Sequence, residues 1–120
     1  MTQEDKQLLL KDLCGRVICN TKVKVIGDWF YEEREPYDSI LTFMIMKTFE
    51  ENDNLSLIIK PYLRPLSNIT TKEFEEYNEL FNSSLDTWTY VDWLNSHHFD
   101  YRGLIEMGLA LEAPEGMYKN

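Results

Sequence analysis

Basic residues are scarce in this chain. Twelve Lys and Arg face 21 Asp and Glu, which leaves a formal net charge of −9. A field of that sign repels phosphate backbones, so direct nucleic-acid binding through a broad basic face is disfavoured. There are two cysteines, Cys14 and Cys19. Such a pair could form a disulfide, half of a metal site or two core thiols, but it cannot supply a disulfide framework or a finger-type zinc cage. Glycine and proline number five and four, too few for a low-complexity or collagen-like chain. No apolar run approaches membrane-spanning length, and Met1-Thr2-Gln3-Glu4-Asp5 is the reverse of a secretory n-region. These absences lead to the expectation of a cytoplasmic protein with reduced, structural cysteines and no membrane partner.

What is present suits a packed globule. Hydrophobic residues make up 43% and aromatics 13% of 120 residues, enough for one domain over 1–120 that buries about 65% of its unfolded surface. The acidity is uneven: residues 1–60 carry 11 acids against 8 bases, and residues 61–120 carry 10 against 4. Thr2 and Asp5 read as a capping pair for an amphipathic helix over 3–14, with Leu9, Leu10, Leu13 and Cys14 on its apolar side and an end near Gly15. Val17–Asn20 and Lys22–Ile26 read as strands, the second alternating Lys with Val. Trp29-Phe30-Tyr31 before an acidic turn reads as a loop or hairpin end. Ser39–Met46 and Leu55–Ile59 read as further strands, joined by a polar turn over 50–54.

Prolines at 61 and 65 predict an extended connection leaving the sheet. Thr70 and Glu73 predict a capping box for a helix running to about Asn82, with Phe74, Tyr77 and Phe81 on one face. Asp86 or Thr87 would start the next helix, with Trp88, Val91, Leu94 and His98 on one side. Asp100 would cap a short third one, ended by Gly108. The expected fold is α+β: an N-terminal helix, a small antiparallel sheet of three to five strands, and two or three C-terminal helices covering one sheet face.

Chemistry-bearing residues concentrate between Trp93 and Ile105. His97 and His98 are the only histidines. Adjacent helical positions point about 100° apart, so the pair does not form a metal clamp, and no metal or cofactor is expected. A Cys–His nucleophile would need an electropositive thiolate, which an acidic chain does not favour, so no catalytic residue is assigned. Arg64 and Arg102 stand near Tyr62 and Tyr101 and are suited to clamping carboxylates or stacking on rings, locking the proline segment to the C-terminal helices. Arg64, Trp93, His97, His98, Asp100, Tyr101 and Arg102 are therefore the candidate interaction or structural motif.

The segments Lys6–Cys14, Ile59-Lys60-Pro61-Tyr62-Leu63-Arg64-Pro65-Leu66-Ser67, Trp93–Ile105 and Gly108–Pro114 resemble a family of small uncharacterised proteins from Bacteroidales-type gut bacteria, their prophages and mobile elements. Gly15–Asn20 and the strand region up to Leu57 depart from that pattern. The resemblance implies a prophage or mobile-element setting and no activity. The leading functional expectation is a non-catalytic cytosolic module that binds a protein. The alternatives are an acidic nucleic-acid mimic that occupies a basic groove on a host defence or regulatory protein, and a small-ligand binder or enzyme using His97–Arg102.

Overall fold

The structure is a computed structural model and describes residues 2–27, 35–52, 57–83 and 87–118. It is α+β, with an N-terminal helix, a mixed sheet and further helices later in the chain. Helix α1 spans Gln3–Arg16, and Thr2 and Asp5 close a reciprocal capping box at its start. The helix ends at Arg16, beside Gly15 where an end was expected, and leads into a 3-10 turn over Val17–Cys19, so the first expected strand is absent. Leu9 and Leu13 are buried, whereas Cys14 is exposed, contrary to its expected place on the apolar side. Both cysteines are free.

Strand β1 (Lys22–Gly27) buries Val23 and Val25 and turns its lysines to the half-buried face, as the alternation predicts. Residues 28–34, including the Trp29-Phe30-Tyr31 cluster, lie outside the described residues, as do 53–56. Strand β2 is only Tyr37–Ile40, and the apolar run then becomes helix α2 (Phe43–Glu51) where strand was expected. Thr42 decides the change: its hydroxyl accepts from the Ile45 N–H, and Ile45 and Phe49 are then buried at i, i+4 spacing.

Strand β3 (Leu57–Pro65) overturns the expected linker, because it runs through both prolines at the centre of the sheet. Each proline sits at the end of a ladder. Pro61 faces Val23 in the last register pair with β1, and Pro65 faces Asp100 in the last pair with β4 (Phe99–Asp100). A residue without an N–H is tolerated at such ends.

Strand β5 (Leu111–Glu112) pairs with Tyr62 and Leu63. Both β4 and β5 run parallel to β3, so the sheet is mixed where an antiparallel one was expected. The β3–β4 connection contains helices α3 (Thr71–Ser83) and α4 (Thr87–Ser96), the kind of crossover that parallel pairing requires. The Arg64 N–H donates to the His98 carbonyl while the Leu63 carbonyl accepts from Ala113, so β4 and β5 flank opposite edges of β3.

The core joins Leu9 and Leu13 of α1, Ile45 and Phe49 of α2, the inward residues of β1 and β3, and Leu104, Leu109 and Ala110. Helices α1 and α2 therefore pack on the core residues of the sheet. Helices α3 and α4, expected to cover a sheet face, supply no residue to this cluster among those described.

Candidate functional site

Three polar clusters converge on the junction of α1, α4, β3 and β4. The first is built on Arg64. Its Nη1 and Nη2 donate to Oε2 and Oε1 of Glu73, each at 2.7 Å, its Nε donates to Asn68 Oδ1 at 3.2 Å, and the guanidinium lies 4.2 Å from the centre of the Phe99 ring. Glu73 also performs the expected cap: it accepts from the Thr70 N–H while its own N–H donates to the Thr70 hydroxyl. The paired guanidinium holds the Glu73 carboxyl down at about 2. One carboxylate thus starts α3 and ties it to β3.

The second cluster surrounds Asp12, a fully buried carboxylate on α1. Arg16 Nε donates to it at 2.7 Å, and Arg102 Nε donates at 3.1 Å from the far end of the chain. Arg16 is also fully buried and donates from Nη2 to the Phe99 carbonyl at 2.7 Å. The Tyr101 ring takes both guanidinium groups, with Arg16 at 5.1 Å and Arg102 at 5.2 Å, and its hydroxyl donates to Asn95 Oδ1. Arg16 Nη1 is buried with no partner among the described residues.

The third cluster is centred on His98, which follows the end of α4 in the left-handed conformation (φ 63°). Its ring stacks on Tyr118 at 3.7 Å and its Nδ1 lies 3.1 Å from the buried Thr21 hydroxyl. Burial, reinforced by the positive Arg16, lowers the imidazole to about 4. Tyr118 in turn accepts from the Lys22 N–H and donates to the Tyr62 carbonyl, and burial raises its phenol to about 12. The Tyr62 hydroxyl donates to Asp38, whose carboxylate raises that phenol to about 12.

The remaining motif residues complete the junction. His97 stacks on Trp93 at 4.1 Å and donates from Nδ1 to the Trp93 carbonyl, so the two imidazoles diverge towards Trp93 and Tyr118. His98 therefore does not share the α4 side on which it was expected, and Trp88, placed with it, is 76% exposed. Asp100 accepts from the N–H groups of Leu104 and Ile105, capping a run of turns in place of the expected short helix, and Gly108 takes φ 76° as that run ends.

Chemically, the junction neutralises and orients. Its guanidinium groups face Asp12, Glu73 and aromatic rings, and its imidazoles face a carbonyl, a hydroxyl and two rings. That is the pattern of an internal clamp. Sequence reading missed Asp12, Arg16, Asn95, Thr21 and Tyr118. The i, i+4 spacing of Asp12 and Arg16 was a usable signal, though it is far commoner on exposed helix faces. Searches against family models, curated proteins and solved structures find no match to this chain.

Proposed function

We propose that the protein is a non-catalytic binding module for a protein partner, displayed on the α3–α4 hairpin, with the Arg64–Arg102 junction as the scaffold that holds the hairpin on the sheet. A single observation carries this reading. Among the described residues, α3 and α4 bury only the polar Glu73 and Asn95 fully, while Phe74, Phe81 and Trp88 are 53%, 57% and 76% exposed. Single exposed apolar residues are ordinary on soluble proteins. Helices that supply no described residue to the core cluster and carry three such aromatics fit a surface completed by another molecule.

The cytoplasmic location expected from the N-terminal composition and the mobile-element setting implied by the sequence resemblance belong to the same proposal. A nucleic-acid mimic would need a carboxylate stripe and has no use for the exposed aromatics. The test is affinity capture from host lysate with the tagged full chain and with a Phe74→Ser, Phe81→Ser, Trp88→Ser variant whose circular dichroism and melting match the parent. Loss of a specific partner from the variant is the expected result. An unchanged set of partners would overturn the hairpin as the binding surface.

A further inference from the structure

Strand β2 lies at an edge of the sheet: among the described residues it pairs with β1 on one side and with no strand on the other. The register fixes which backbone groups face outwards. The Leu41 N–H donates to the Thr21 carbonyl in line with the β1–β2 ladder, so Leu41, Ser39 and Tyr37 turn their N–H and C=O groups towards β1. Asp38 and Ile40 turn theirs away from the sheet. The same alternation reaches Pro36 before the strand and Thr42 after it, where the backbone is still extended (φ −118°, ψ 163°).

We infer that this edge pairs antiparallel with the same edge of a second copy of the chain, about a two-fold axis at Ser39. In that register Asp38 lies opposite Ile40 of the second copy and Ile40 lies opposite its Asp38, and each pair exchanges both N–H···O=C bonds. The Ile40 carbonyl also accepts from the Ser39 hydroxyl and keeps a second lone pair for the ladder. Pro36 then meets Thr42 of the second copy. Pro36 has no N–H to give, and the Thr42 carbonyl already accepts from the Met46 N–H at the start of α2, while the Thr42 N–H donates to the Pro36 carbonyl. A proline that would ordinarily blunt an edge strand therefore fits this one. Shifting the register by two residues loses the match. One shift sets Asp38 against Asp38 and the donorless Pro36 against Ile40; the other turns the Asp38 N–H onto the occupied Thr42 carbonyl.

The side chains agree with the register. Ile40 is half-exposed, and Phe43 and Met44, directly after Thr42, are 65% and 61% exposed. The ladder brings Pro36 of the second copy beside them. Lys22, opposite Ile40 on β1, has no carboxylate within ion-pair distance among the described residues. Asp38 of the second copy arrives on the far side of Ile40, about two strand spacings or 10 Å from Lys22, within the combined reach of the two side chains. Backbone bonds alone would accept any extended strand; this chain itself brings an occupied carbonyl where Pro36 offers no donor and a carboxylate where Lys22 lacks one.

The contact is short, so association is weak and depends on concentration. Sedimentation velocity of the full chain from about 5 to 500 µM should show the mass rising from one copy towards two. Ile40→Pro removes an N–H that points away from β1, a change an edge strand tolerates. It should melt close to the parent at the lowest concentration and stay monomeric at the highest. Register is read by oxidation of single-cysteine variants in a Cys14→Ser, Cys19→Ser background. Ser39→Cys should cross-link to itself, because the axis sets its two copies about 4.5 Å apart at Cα, whereas Asp38→Cys and Ile40→Cys each face the other residue and should not. The inference is overturned by a parent that stays monomeric throughout, by a dimer that persists in Ile40→Pro, or by cross-linking no greater for Ser39→Cys than for Asp38→Cys.

Discussion

Arg16 and Phe99 stand 83 positions apart in the chain, and the Arg16 Nη2 donates to the Phe99 carbonyl oxygen at 2.7 Å. That bond joins the end of the first helix to β4, one of the two short strands that pair parallel with β3. Because Arg16 also pairs with Asp12, and Asp12 with Arg102, one buried carboxylate connects α1 to the segment after β4.

Removing one member of this cluster leaves a buried charge without its partner. Asp12→Ala is expected to cost about 3–5 kcal/mol, measured by urea unfolding. An Asp12→Leu, Arg16→Met double variant should lose clearly less than the sum of its single changes, because the two buried charges leave together.

Acid should weaken the Arg64–Glu73 tie. The Glu73 carboxyl is held at about 2 in the folded protein against 4.5 for an unperturbed glutamate. Between these values the unfolded chain binds the extra proton, so the contribution is complete above 4.5 and is lost as pH falls towards 2. Melting temperatures across this range should fall less steeply for Glu73→Gln than for the parent, from a lower starting value.

His98 gives a second window. Its imidazole titrates at about 4 when folded and near 6.5 when unperturbed. The unfolded chain therefore takes up the proton first, and stability should decline as pH falls from 6.5 to 4 and stay level above 6.5 as far as this group is concerned. A proton-NMR titration of the His98 ring should show the low midpoint. His98→Asn, which tolerates the left-handed backbone, should remove that part of the slope.

Gly15 sits inside α1, where alanine would ordinarily stabilise a helix by about 1 kcal/mol. A Cβ there would lie 2.8 Å from Asn95 Nδ2, and Asn95 is buried and accepts from the Tyr101 hydroxyl. Gly15→Ala is therefore expected to be net destabilising by about 1–2 kcal/mol. In an Asn95→Ala background the same change should become neutral or stabilising, and a double-mutant cycle from urea melts measures the difference.

Tyr118 closes the sheet beside His98. Tyr118→Phe keeps the ring stack but removes the acceptor for the Lys22 N–H and the donor to the Tyr62 carbonyl. A loss of about 1–3 kcal/mol and faster hydrogen exchange at the Lys22 amide are expected.

Local chemistry by itself determined several parts of this protein. The capping boxes at Thr2 and at Thr70 need only residues three apart, and the Val–Lys alternation of β1 needs only a half-buried sheet. The α+β class and the net negative charge likewise follow from composition and pattern. Tertiary structure decided the rest. Thr42 and the burial of Ile45 and Phe49 turned an apolar run into helix, and the placing of Pro61 and Pro65 at the ends of the β1 and β4 ladders let a proline-bearing segment become the central strand. Whether His98 and Arg102 faced a cleft or each other's neighbours depended on Thr21, Tyr118 and Asp12, which lie 77, 20 and 90 positions away and become partners only when the chain folds. Periodicity reports which face of an element is apolar; it cannot report which distant polar group will meet a given side chain, because that is fixed by how the elements pack.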